Sequence, residues 1–209
     1  MKINYSDKPF EFLVIDNFLD QQQNVEVWNE LNFVIDNKFL NTIPSTSADG
    51  SAQDPDTGET LAQRHSLFLE DFLVNHRKTS KIYQAIKNNF LHNNLHQQYP
   101  KSTLIKYLPN TNRDSTLLSF FKDGDYYKSH NDNCVITAIL YLIPKNDYVG
   151  GNILFSQFDF EHKPQNNQLI VFPSCIEHEV SVLSNIGISE DSYKRISITT
   201  FLAIHGTLR

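Results

Sequence analysis

His130 and Asp132 stand two positions apart in the segment DYYKSHND. If that segment is a strand, alternate residues share a face, and both side chains point into one cavity. A neutral imidazole and a carboxylate suit a first-row divalent metal. His178 is the candidate third ligand. It follows PSCIE, where the chain leaves the apolar run QLIVF. Two histidines and one carboxylate gathered on one side of a metal leave three octahedral positions open, two for a chelating cosubstrate and one for O2.

The segment KRISITTFL adds an independent element. On a strand, Arg195, Ser197 and Thr199 fall on one face, and Ile196, Ile198 and Leu202 on the other. An inward Arg195 is a buried charge that needs a partner. A bound carboxylate matches its planar fork, with Ser197 adding a hydrogen bond. An isolated H-x-D is a weak signal. The ordered set carries more: H-x-D, a buried strand, a Gly-Gly strand, a His, then R-x-S on the last strand.

These residues need a scaffold. Phe10 to Ile15 reads as an early strand, rich in β-formers. Asp20 caps a following helix. Val25, Trp28, Leu31, Ile35 and Phe39 recur along it at helical spacing, with Trp28 read as a core residue. Residues 44–63 hold the Pro, Gly, Ser and Asp of a long loop, read as a substrate lid or a surface excursion. Thr79 to Gln97 reads as a second amphipathic helix, with Ile82, Ala85, Ile86 and Phe90 on one face. His92 and His96 lie four apart on it. Asn93 breaks the H-E-x-x-H pattern, so they are read as solvated rather than metal-binding. From Ser102 the reading turns to strands: TLIKYL, STLLSFF, DYYKSHND, CVITAILYLI, GNILFS, QLIVFP, HEVSVL and KRISITTFLAI. Helical segments followed by many strands predict an α+β protein with a β-sandwich or barrel core. The expectation is one domain over 1–209, with helical support over about 18–97 and a β core over about 102–205.

The formal net charge of -6 gives no broad basic field, so nucleic acid is not an expected partner. No apolar run approaches the ~20 residues that span a bilayer, so no membrane is expected. Cys134 and Cys175 are read as two free thiols in or near the core rather than a disulfide framework. Lys2 to Phe12 is mixed and charged, unlike a secretory signal. The expected compartment is the cytoplasm, or the host cytoplasm if the gene is viral.

At these residues the chain resembles the 2-oxoglutarate/Fe(II) oxygenases of the prolyl 4-hydroxylase type. The matching positions are Tyr127, His130, Asp132, ILYL ending at Leu142, GGNILF from Gly150 to Phe155, LIVF ending at Phe172, His178, and RIS from Arg195. They span about Leu117 to Leu202, and the opening FEFLVIDNFLD resembles the family's first strand and helix start. The resemblance implies a double-stranded β-helix, a jelly-roll, cupin-like barrel flanked by N-terminal helices. It implies Fe(II) on His130, Asp132 and His178, with no catalytic side chain beyond these ligands. It implies 2-oxoglutarate held by Arg195 and Ser197, with Tyr127 and Tyr141 as further contacts, O2 as co-reactant and ascorbate as reductant. Lys194 is the alternative anchor, because some members use Lys. Phe120 stands where some relatives have a cosubstrate-binding Tyr. The separation of His178 and Arg195, 195 − 178 = 17 positions, exceeds the family's usual gap and predicts an extra hairpin or loop in SNIGISEDSY. The implied reaction is hydroxylation of an unactivated C–H bond, of a prolyl residue in a peptide or protein. Alternatives are a hydroxylase of a free amino acid or small metabolite, and a cupin-like binding module without oxygenase activity.

Overall fold

The computed structural model describes residues 1–37, 53–54, 57–73, 75–186 and 192–205. Its strands are β1 (Lys2–Ser6), β2 (Phe12–Asp16), β3 (Ala62–Gln63), β4 (His65–Phe68), β5 (Arg113–Phe121), β6 (Tyr126–His130), β7 (Ile136–Leu142), β8 (Tyr148–Val149), β9 (Ile153–Phe155), β10 (Phe160–His162), β11 (Gln168–Pro173), β12 (His178–Val180), β13 (Ser184–Asn185) and β14 (Arg195–Ala203). They form a large sheet, β1-β2-β11-β7-β14-β5-β4, a smaller sheet, β10-β9-β12-β6-β3, and the pair β13-β8. Every pairing is antiparallel.

The two-residue alternation of strands divides the large sheet into two faces. Leu118 and Phe120 of β5, Leu140 and Leu142 of β7, and Ile196 and Ile198 of β14 face a core shared with the helices. Ile139 and Tyr141 of β7 face the other way, into a second core with Ile153, Phe155, Ile170 and Phe172. All seven residues of β7 are buried, as expected for a strand covered on both faces.

The helices are α1 (Gln21–Asp36), α2 (Leu69–Phe72), α3 (His76–Thr79), α4 (Lys81–Ile86), α5 (Leu95–Gln98) and α6 (Thr103–Tyr107). Asp20 caps α1 in a capping box. Its carboxylate accepts from Gln23 N at 2.8 Å, and the Gln23 side chain accepts from Asp20 N at 3.1 Å. The buried face of α1 is Val27, Leu31 and Val34. Val25, expected on that face, is exposed. It lies two residues before Val27, about 200° round the helix. Trp28 is half-buried against the core, as read, and Phe39 lies outside the described residues.

Two of the expected elements differ. The predicted strand TLIKYL is helix α6. Ser102 Oγ accepts from Ile105 N at 3.0 Å, and the Glu11 carboxylate takes Thr103 N at 2.7 Å and Leu104 N at 2.5 Å. These acceptors satisfy donors that the first turn of a helix leaves open, and they override β propensity. The second helix is not continuous. α4 runs into a π-helical turn, Lys87–Leu91, and the chain then turns at Asn94, with φ 50°, before α5. Ile82, Ala85, Ile86 and Phe90 are buried as expected, and His92 is exposed. Cys134 is half-buried, but Cys175 is exposed rather than near the core; both are free. Among the described residues no helix is long and apolar enough to cross a membrane.

Candidate active site

β6 and β12 pair so that His130 and His178 are register partners. Their rings lie 4.4 Å apart. His130 Nδ1 donates to Lys128 O at 2.8 Å, and His178 Nδ1 donates to Ile176 O at 2.9 Å. A carbonyl can only accept, so each Nδ1 carries the proton and each Nε2 presents its lone pair. Both Nε2 atoms face Asp132, at 3.7 Å to Oδ1 from His130 and 3.6 Å to Oδ2 from His178. One donor atom from each of the three lies within 4.8 Å of the others. Asp132 is not on the strand as expected. β6 ends at His130, and the turn that follows, tied by Asp132 N to Ser174 O at 3.2 Å, carries the carboxylate to the same cavity.

Burial, with the neighbouring His178, pushes the His130 imidazole down to about 3. Burial raises Asp132 above the ordinary carboxylate range, against the opposing pull of His178. The site is therefore set for a neutral imidazole. The unfolded chain takes up a proton on His130 below 6.5 and the folded chain does not, so folding stability falls as pH drops from 6.5 towards 3. Between 6.5 and about pH 5 the metal-free protein is expected to lose about 2 kcal/mol from this group. Urea unfolding of the protein and of His130→Gln checks this: the variant should lack that part of the slope, and equal slopes would refute it.

A cavity of about 590 Å3 opens on the triad. The inward residues of β14, Arg195, Ser197 and Thr199, line it as expected, with Phe201 continuing the row. Arg195 is 1% exposed. Its guanidinium lies 4.0 Å over the Phe121 ring and 5.5 Å from the centre of the Tyr141 ring, and its Nη1 donates to Gly151 O. Its Nε is buried without a hydrogen-bond partner among the described residues, and burial presses its pKa below the ordinary arginine value. Tyr141 is buried and lines the cavity. Lys194, the alternative anchor, is not brought there; its Nζ donates to Asp147 Oδ2 at 3.0 Å. Phe120 turns to the helix-side core, and Phe121 faces the cavity.

The Gly150-Gly151 pair positions the arginine's acceptor. Both have positive φ, 73° and 64°. A Cβ on Gly150 would lie 2.0 Å from Val182 O, a backbone atom that cannot swing aside. Gly150→Ala is expected to cost about 2 kcal/mol or more, from the left-handed strain and the displaced Val182 backbone. A urea midpoint within error of the parent would contradict this.

Arg64 is the site residue that the sequence reading missed. It is 2% exposed and lines the cavity, with its guanidinium 4.5 Å over the Tyr127 ring. Tyr127 in turn stacks on His130, with centroids 3.7 Å apart and planes 11° apart. Of the lid segment, Gln53, Asp54 and Leu61 line the cavity, while residues 44–52 and 55–56 lie outside the described residues. Of SNIGISEDSY, Ser184–Asn185 pairs with Tyr148–Val149, far earlier in the chain, rather than with a second strand of its own segment among the described residues, and residues 187–191 lie outside the described residues. The donor set fits Fe(II): two lone-pair nitrogens and a carboxylate converge in one cavity. The buried, under-satisfied Arg195 fits a carboxylate in the same cavity.

Residues 116–203 match the sequence model of the 2OG-Fe(II) oxygenase superfamily. No curated protein sequence matches the chain. It is similar to a solved prolyl-4-hydroxylase of Pseudomonas putida, at 16% identity over 93% of each chain with a TM-score of 0.58. It is similar to the viral collagen prolyl hydroxylase of Paramecium Bursaria Chlorella virus-1 in its 2OG complex, at 15% identity over 92% of this chain and 96% of that one, TM-score 0.53. A third likeness is to a prolyl hydroxylase of Trichoplax adhaerens in complex with a hypoxia inducible factor oxygen degradation domain peptide fragment, at 15% identity over 92% and 83%, TM-score 0.59. These likenesses show the fold, a double-stranded β-helix with flanking helices.

Proposed function

We propose that this chain acts as a 2OG-Fe(II) oxygenase and hydroxylates a prolyl residue in a peptide or protein, with His130, Asp132 and His178 as its iron ligands. The observation that carries the reading is the meeting in one cavity of three convergent metal donors and a buried arginine with an unsatisfied Nε. Bound Fe(II) supplies the oxygen chemistry, in which 2-oxoglutarate, O2 and a C–H bond give succinate, CO2 and a C–OH bond.

The chain's own residues bind and orient. Nδ1–H bonds to Lys128 O and Ile176 O hold both imidazoles in the tautomer a metal needs. Tyr127 braces the His130 ring by stacking. Arg195 takes the distal carboxylate of 2-oxoglutarate, with Ser197 adding a hydroxyl and Tyr141 closing the wall beside it. Lys194 is committed to Asp147 and has no part in this. Leu117, Ile139, Ile153 and Val180 give the cavity an apolar lining, which limits water near the reacting carbon.

The prolyl substrate is favoured by the three structural relatives, each a prolyl hydroxylase, one of them holding a peptide. Ascorbate is the proposed external reductant. The two free cysteines favour a reducing compartment such as the cytoplasm. A single domain is supported by the core that α1, α4, β5, β7 and β14 share.

The test is a panel of proline-containing peptides, free amino acids and small metabolites, with Fe(II) and 2-oxoglutarate, followed by mass spectrometry and succinate formation. Hydroxylated prolyl peptide formed in step with succinate is expected. Coupled turnover only with small molecules would move the substrate to that class, and absence of both metal binding and succinate would leave a binding module.

A further inference from the structure

Thr137 is the lone threonine of β7, and it is fully buried. Its Oγ1 donates to Asp132 Oδ2 at 2.5 Å and lies 2.8 Å from Ser174 Oγ. Ser174 is also fully buried, and its Oγ lies 2.8 Å from Cys134 Sγ. The proton order along this row follows from counting hydrogens. A carboxylate accepts only, so the single Thr137 hydroxyl hydrogen goes to Asp132. The Thr137–Ser174 contact then requires Ser174 to donate, which spends the Ser174 hydrogen. Ser174 can meet Cys134 only as an acceptor, and the same thiol also reaches Ile136 O at 3.5 Å. The Thr137 and Ser174 hydrogens both point towards Asp132. The backbone reinforces it: Asp132 N donates to Ser174 O and Ser174 N to Val135 O, both at 3.2 Å. Ser174 therefore holds both ends of the turn that carries the carboxylate.

We infer that Cys134, Ser174 and Thr137 form a positioning chain that fixes the Asp132 carboxylate as a metal ligand by committing one oxygen to a protein hydrogen bond. The inference rests on the reading of His130, Asp132 and His178 as the metal site. A carboxylate held in this way is ordered before metal arrives, and its tendency to swing or to grip with both oxygens is restrained. Losing an outer partner of this kind typically lowers metal affinity by about 10- to 100-fold.

The experiment measures Co(II) affinity of the metal-free full chain by competition with a chromogenic chelator, and thermal unfolding of the same samples without metal. Thr137→Val keeps the side-chain shape and removes the donor; affinity should fall about tenfold or more. Thr137→Ser restores the donor and should recover most of that loss. Ser174→Ala breaks the row one step further out and should give a smaller fall. Folded Thr137→Val with parental affinity would overturn the inference. If Thr137→Val does not fold, Ser174→Ala decides: a folded variant with parental affinity overturns the chain, and a weakened one supports it. Parental protein that binds no Co(II) would overturn the metal site and this inference together, whereas parental binding unchanged in Thr137→Val would overturn this inference alone.

Discussion

Arg195→Met is expected to stabilise the ligand-free protein while removing its grip on 2-oxoglutarate. The guanidinium is 1% exposed, its Nε has no hydrogen-bond partner among the described residues, and burial works against its charge. Replacing a buried, under-satisfied charge by an apolar side chain of similar length is often neutral or stabilising by about 1–4 kcal/mol. The contact with the Phe121 ring and the bond to Gly151 O are lost, so the lower half of that range is expected. For a chain of 209 residues each kcal/mol shifts Tm by roughly 2–4 °C. Removing one side of a desolvated charge pair costs roughly 2–5 kcal/mol of ligand binding, so 2-oxoglutarate affinity should drop by about 30- to 4,000-fold. Calorimetry of the metal-loaded protein and a thermal melt of the metal-free protein read the two effects. A variant that melts lower and still binds 2-oxoglutarate would contradict the anchor role on both counts.

His178→Ala should abolish turnover. The residue supplies one of three donors, and losing a hydrogen-bond partner behind a ligand can alone cost about 100-fold, so removing a donor should exceed that. The ring is buried among Phe155, Phe172 and His130, and its removal leaves a gap that lowers stability modestly. Metal affinity by chelator competition should fall more than about 100-fold, and succinate formation should vanish. A folded variant that retains metal and coupled turnover would remove His178 from the ligand set.

The legible part of the site was the part encoded by short spacing. H-x-D, the distal His and R-x-S each show in a few residues, because strand alternation or a single turn brings their side chains together. The β14 face was readable because Ile196, Ile198 and Leu202 alternate with Arg195, Ser197 and Thr199. Arg64 was not, since it precedes His130 by 130 − 64 = 66 positions. It reaches the cavity only through β3 pairing with β6 and β4 with β5, and no local pattern announces pairing at that distance. The Thr137–Ser174–Cys134 row was likewise hidden, although a lone Thr within the apolar run VITAILYL is the signal that could have found it. TLIKYL shows the opposite failure. Its β-formers were read locally, while Glu11, about ninety positions earlier, supplies the acceptor that starts a helix. The exposed Val25 shows that a loose three-four spacing identifies a helix more securely than its buried face.

In the proposed function one cavity holds a metal on His130, Asp132 and His178 and 2-oxoglutarate on that metal and Arg195 together. Anaerobic titration of the purified protein with Fe(II) and then 2-oxoglutarate tests it most directly, by the visible charge-transfer band of a chelated keto acid. The expected result is a band that requires both additions, is absent in His130→Ala and is weakened in Arg195→Met. Binding of both components without the band, or a band of full strength in His130→Ala, would contradict it.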